Sequence, residues 1–152
     1  MLLLQYGQLF KTERKLHLLD TFHGPAPEYM SESEKRNLKP SLQFEECLEE
    51  VQNRFAPYIN TVRIIPGAVP ATLRQVEVDR VAFLSIDMNN AAPEIAAAEY
   101  FWPKLSPGAP IVLDDYGWSE HAEQKLAFDD FAERHGVEIL SLPTGQGLMI
   151  KG

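Results

Sequence analysis

Carboxylates recur in this chain where an apolar run stops. Asp20 follows Leu16-His17-Leu18-Leu19, Asp87 follows the run from Val81 to Ile86, and the pair Asp114-Asp115 follows Ala109 to Leu113. A single acid after a strand is commonly a turn or helix-cap residue. Three such endings raise a second reading, because ligands of open α/β sheets bind outside the carboxyl ends of the strands. Acids crowded at one rim repel, and one pKa must rise unless something neutralises them. A divalent cation does so, and hard oxygen ligands suit Mg²⁺, Ca²⁺ or Mn²⁺. Asp87, Asp114 and Asp115 are therefore candidate metal ligands, with Asn89 adding a neutral oxygen nearby. Asp20 offers different chemistry. An acid after such a strand can hydrogen-bond the hydroxyls of a cofactor ribose, with Thr21 and Phe22 shaping the same pocket, or it can open an Asx turn.

Other chemistries lack their residues. One cysteine, Cys47, excludes an intrachain disulfide and reads as a half-buried thiol in a helical pattern. His17, His23, His121 and His135 have no soft-metal spacing. His17 reads as a strand wall and His135 as a helix C-terminal residue, while His23 and His121 fall on the candidate rim. No G-x-G-x-x-G, Walker loop, G-x-S-x-G elbow or H-E-x-x-H pair occurs. A metal-dependent hydrolase would need a D-x-D-x-[TV] motif, also absent. Gly145-Gln146-Gly147 suits a hairpin turn better than a phosphate loop. Tyr100, Phe101 and Trp102 read as helix packing, Tyr116 and Trp118 as residues that could line a substrate pocket.

Strands are expected at 15–19, 61–65, 81–86, 109–113, 137–142 and 147–151. The third is expected to be covered on both faces because its residues hardly alternate. Helical segments lie between them. One covers 1–11, with Leu2, Leu3, Tyr6, Leu9 and Phe10 on one side. Another covers 41–55, capped by Ser41, with Phe44, Leu48, Val51 and Phe55 on its stripe. A short helix falls near 70–76. The next opens with Pro93 at its first position and runs through Trp102. The last runs from a Ser119 cap to Arg134 and stops at Gly136. Residues 21–40 form a long loop, a length that suits a lid. Strand–helix alternation implies an α/β fold with a doubly wound, mostly parallel sheet. The short link at 143–146 adds a C-terminal antiparallel hairpin.

At 152 residues the chain is expected to be one domain, 1–152. Its net charge of −8 argues against a nucleic-acid partner, since phosphate binding wants a basic face. Met1-Leu2-Leu3-Leu4 is too short for a signal peptide, and no run reaches the roughly 20 apolar residues of a membrane helix. The expectation is a soluble cytoplasmic protein with a small-molecule partner and no membrane; a homo-oligomer is left open.

Three stretches together resemble the macrocin O-methyltransferase-like (TylF-type) family. They are Leu18-Leu19-Asp20-Thr21-Phe22-His23-Gly24, Leu84-Ser85-Ile86-Asp87-Met88-Asn89 and Ile111-Val112-Leu113-Asp114-Asp115-Tyr116-Gly117. Lys104-Leu105-Ser106-Pro107-Gly108 and Leu142-Pro143-Thr144-Gly145-Gln146-Gly147-Leu148 fit as well. The resemblance implies a Rossmann-like class I methyltransferase fold binding S-adenosylmethionine. It implies transfer of methyl to a sugar or natural-product hydroxyl, with Mg²⁺ assistance in characterised members. Under it Asp87 is both metal ligand and general base, Asp114 and Asp115 are paired metal ligands, and Asp20 lies near the cofactor ribose.

Two departures stand out. Asn89 replaces the family's second acid, which weakens the case for metal. The family's first strand and its glycine-containing turn would precede the helix that begins here at Met1. That strand belongs between those ending at Asp20 and Asp87. Without it the sheet is expected to have a gap of about 10 Å, two strand spacings, flanked by unpaired backbone. The chain is then expected to bind cofactor weakly or not at all. The alternative is an N-terminally incomplete, catalytically inactive domain acting as an interaction partner or remnant.

Overall fold

A computed structural model describes residues 4, 8–37 and 46–152. Six strands alternate with helices: β1 (Leu16–Asp20), β2 (Val62–Pro66), β3 (Leu84–Ile86), β4 (Pro110–Leu113), β5 (Leu140–Ser141) and β6 (Gly147–Ile150). The α-helices are α1 (Glu32–Asn37), α2 (Leu48–Phe55), α3 (Ala91–Phe101) and α4 (Ala122–His135). The α/β class is as expected. Among the described residues the strands form two sheets, β1-β2 and β3-β4-β6-β5. β1 pairs with β2 in parallel, and β3 with β4. β6 runs antiparallel to both β4 and β5, which is the expected closing hairpin. No described strand joins β1 to β3, so the sheet is interrupted where the gap was expected.

The sheets meet through side chains. Ile65 of β2 packs with Val69, Leu73 and Val76 of the following segment and with Ala97 and Phe101 of α3; Leu19 and Leu84 lie against this cluster. The larger core lies on the other side of α3. There Ile86, Ile111, Leu113 and Met149 meet Phe128 and Phe131 of α4, all 2% exposed or less. The helices supply these contacts because residues 94, 97, 98 and 101, and 124, 128, 131 and 132, lie on one stripe each and are buried.

Several boundaries differ from expectation. β3 is short and only Ile86 is buried in it; Ser85 is exposed. Ser85 lies on the face opposite Leu84 and Ile86, and that face is not covered; Val81 instead makes a lone bridge to Leu105. Pro93 is the third residue of α3, still within the first turn, where N–H groups lack intrahelical acceptors. Ser119 opens a 3₁₀ turn and donates to Glu120 rather than capping α4. Gly136 ends α4 in the left-handed conformation, as its position predicts. Cys47 stands just before α2, where it is half-buried and donates to the Phe22 carbonyl. Residues 1–3 and 5–7, and 38–45 with Ser41 and Phe44, lie outside the described residues; Leu9–Lys11 form a 3₁₀ turn. Among the described residues no helix is long and apolar enough to cross a membrane.

Candidate active site

Asp87, Asp114 and Asp115 stand at the carboxyl ends of parallel β3 and β4, whose register pairs Ile86 with Leu113. Asp20 closes β1. All four carboxylates share one rim. The negative charges of Asp114, Asp115 and Asp20 each raise the pKa of Asp87. With loss of water as the largest cause, it reaches about 6, although the side chain keeps an exposed face. His121 works in the opposite direction. Burial is also the leading cause that raises Asp115.

Neighbours hold each acid differently. Gln146 Nε2 donates to Asp114 Oδ1 at 3.1 Å. That glutamine sits in the hairpin turn, which is pressed against the loop after β4: Gly117 N–H donates to the Gly145 carbonyl at 2.7 Å. A Cβ at Gly145 would lie 2.5 Å from the Trp118 indole nitrogen, and one at Gly147 would lie 2.8 Å from the Tyr116 ring. Glycine there is needed for close approach, in keeping with the turn reading. Asp115 is 3.5 Å from Gln124 Nε2 and 3.8 Å from His121 Nε2. Tyr116 is buried and donates to Asp129, so it packs in the core, whereas Trp118 is 52% exposed beside the rim.

Asp20 takes the Asx turn: Oδ1 accepts the Phe22 N–H at 2.7 Å. Thr21 donates its hydroxyl to the Gly24 carbonyl, and Phe22 is buried with φ +62°. Thr21 Oγ1 stands 3.5 Å from the same Oδ1. His23 is exposed, and His17 and His135 lie in other parts of the fold.

Two residues of this site escaped the motif reading. Glu94 and Gln124 are 3% and 2% exposed, directly beneath the acids. Glu94 Oε1 accepts the Met88 N–H at 3.1 Å and Gln124 Nε2 at 3.3 Å. Desolvation pushes the Glu94 pKa up to about 8, and its two hydrogen bonds pull against that. The signal was present: each is a polar residue on an otherwise apolar helical stripe. The loop over the rim is fastened too. Glu34 accepts the Ala91 N–H at 2.7 Å, and Ser31 Oγ donates to Glu123.

Parallel strands joined through helices and closed by a reversed C-terminal strand make an α/β fold that solved structures share. The chain superposes on the O-methyltransferase NovP with a TM-score of 0.79 at 21% identity, covering 97% of this chain and 63% of that one. It superposes on the calicheamicin methyltransferase CalS11 with a TM-score of 0.68 at 16% identity, covering 91% and 61%.

Residues 3–140 match the Macrocin-O-methyltransferase (TylF) family, and the chain belongs to it. It is 25% identical over 135 residues to mycinamicin III 3''-O-methyltransferase of Micromonospora griseorubida, covering 82% of this chain and 52% of that enzyme. It is 28% identical over 134 residues to a Streptomyces olivaceus enzyme, 8-demethyl-8-(2,3-dimethoxy-alpha-L-rhamnosyl)-tetracenomycin-C 4'-O-methyltransferase, covering 83% and 50%. The chain thus spans about half the length of these relatives.

Proposed function

We propose that the chain belongs to an S-adenosylmethionine-dependent enzyme that methylates a hydroxyl of a sugar or related natural product. The observation that carries this reading is the placement of Asp87 and the Asp114-Asp115 pair side by side at the carboxyl ends of β3 and β4, with Asp20 near enough to raise the pKa of Asp87. Relatives that act on glycosylated natural products support the acceptor class. The residues present suit the methyl donor. The Asp20 carboxylate is the proposed acceptor for ribose hydroxyls, and Thr21 and Phe22 form the turn that follows it. Asn90 is 2% exposed and its Nδ2 donor lacks a protein partner, which suits a ligand rich in acceptors.

S-adenosylmethionine supplies, when bound, an electrophilic methyl group on a sulfonium. The chain's task is to orient a hydroxyl and receive its proton, because a neutral hydroxyl is a weak nucleophile. Asp87 is the proposed acceptor. With a pKa raised to about 6 it is ionised at neutral pH yet more basic than an ordinary aspartate. The segment 21–37, which follows Asp20, and exposed Trp118, which follows the Asp114-Asp115 pair, are the proposed selectors of the acceptor.

Magnesium is the less supported part of this reading. The oxygen donors of Asp87, Asp114 and Asp115 suit it by type, but they do not converge. Among the described residues no three His, Cys, Asp or Glu side chains form a group that could hold a metal ion. Asp114 is turned to Gln146 and Asp115 to Gln124. No step is assigned to a metal.

The interrupted sheet favours a second reading, a domain that binds partners without catalysis, because among the described residues no strand joins β1 to β3. Calorimetric titration with S-adenosylhomocysteine separates the two. Micromolar binding that Asp20→Ala weakens by about tenfold or more supports the enzyme reading. No binding at millimolar ligand sinks it for this chain. In a transfer assay with a bound donor, Asp87→Asn is expected to lower turnover by about 100-fold.

A further inference from the structure

Glu94 and Gln124 occupy positions that helical packing assigns to the core. Glu94 shares its stripe with Ala97, Ala98 and Phe101, and Gln124 shares its stripe with Phe128, Phe131 and Ala132. Each is nearly inaccessible to water. Buried polar groups cost stability unless fully hydrogen-bonded, and apolar residues of similar volume often replace them without loss. Stability alone therefore gives no reason for this pair.

Their contacts give one. Glu94 Oε1 binds the backbone N–H of Met88, the residue after Asp87. The same oxygen binds Gln124, whose Nε2 also reaches Asp115 Oδ2. With Glu94 Oε1 already accepting the Met88 N–H and Asp115 Oδ2 beside it, the Gln124 amide turns its NH2 to these two acceptors. In that orientation Oε1 faces His121 Nδ1, 2.9 Å away, a contact that calls for the Nδ1–H tautomer. The other ring nitrogen then lies toward Asp115.

We propose that Glu94 and Gln124 are positioning residues, a buried pair that ties the Asp87 loop to the Asp115 loop and fixes the ring of His121 at the rim. The function of that rim rests on the methyl-transfer reading; the positioning does not. A neutral Glu94 suits the task, because an anchor beneath four carboxylates would otherwise add a fifth charge. Helices α3 and α4 then contribute to the rim as well as to the core.

The test replaces the pair with apolar residues of similar size, Glu94→Met with Gln124→Leu, in the full chain. The expected protein unfolds cooperatively with a Tm no lower than wild type. Its Met88 amide is expected to exchange about tenfold faster. Nitrogen-15 spectra of the neutral His121 ring should show the Nδ1–H form giving way to a mixture of tautomers. Glu94→Gln keeps the Oε1 acceptor and should retain the wild-type Met88 and His121 signatures. A folded double variant that keeps both signatures overturns the proposal. If the double variant does not fold, Gln124→Asn decides: its amide falls short of His121, so retention of the Nδ1–H form would overturn the proposal and its loss would support it. No methyl donor enters these measurements, so this pair can fail while the reaction stands, and the reaction can fail in the cofactor titration while this pair stands.

Discussion

The two sheets differ in how they are supported, and the acids divide between them. β4 buries Ile111 and Leu113 and is paired on both edges, by β3 and β6. β1 has no fully buried residue and is paired only by β2 among the described residues. It also holds His17, whose buried Nδ1 has no hydrogen-bond partner. Burial and neighbouring Arg63 lower that histidine's pKa. Asp87, Asp114 and Asp115 thus rise from a sheet packed on two helices. Asp20 rises from a pair of strands held mainly by the apolar cluster around Ile65. Proton transfer would be organised by the firmer part of the molecule and cofactor capture by the looser one.

Truncation of one core residue in each part tests that contrast most strongly. Phe131 is 0% exposed and contacts Phe128, Trp102 and His135. Phe131→Ala should cost about 3–5 kcal/mol, the transfer term plus a cavity. Leu19 is half-buried, so Leu19→Ala should cost about 1–2 kcal/mol. Urea denaturation measures both. Equal costs would mean that the sheets are one cooperative body with no firmer part.

Much of this was legible in the chain. Each strand coincides with an apolar run, and each rim acid follows such a run because the turn at a strand's carboxyl end is where a polar side chain meets water. Gly136 and the 143–146 link announced their turns by backbone chemistry alone. What remained hidden depends on partners distant in sequence. Nothing in Val81-Ala82-Phe83 shows that Val81 pairs with Leu105, which shortens β3 to three residues. Ser119 fits a cap pattern, but its hydroxyl finds Glu120. Glu94 and Gln124 are each visible as a polar break in an apolar stripe, yet their joint meaning appears only when α3 meets α4. The separation of β1 from β3 was foreseen through the family resemblance; local patterning carries no record of which strands are neighbours.

The better-supported part also carries a pH-dependent cost. Glu94 has an ordinary pKa of 4.5 when unfolded and about 8 when folded, so the native state holds the proton more tightly. Such a group makes stability fall as pH rises through that interval. Asp87 acts likewise between 3.8 and about 6. The Tm difference between Glu94→Gln and wild type should therefore grow in the variant's favour from pH 6 to pH 8. Comparing the two proteins cancels the contribution of His17 and other groups common to both. A constant difference would mean that Glu94 is already ionised in the native protein at pH 6, contrary to its burial.

The smallest expected effect concerns the loop that spans the rim from the β1 side. Ser31 and Glu34 form a capping box for α1: Ser31 N–H donates to Glu34 Oε2 at 2.7 Å, and Glu34 N–H donates to Ser31 Oγ at 3.0 Å. The remaining oxygen, Oε1, takes the Ala91 N–H in the first turn of α3. One carboxylate therefore caps two helices and fastens the loop after Asp20 to the helix that bears Glu94. Its negative charge also complements the positive end of the α3 dipole. Glu34→Ala should lower global stability by only about 1 kcal/mol, as loss of a cap does. Locally the change should be larger: faster hydrogen exchange at Ala91 and Ser31 and faster proteolysis within 23–37, with amides of β4 unaffected. If Glu34→Ala instead speeds exchange throughout β3 and β4, the loop supports the firm sheet, and the division between the two parts of the molecule is drawn in the wrong place.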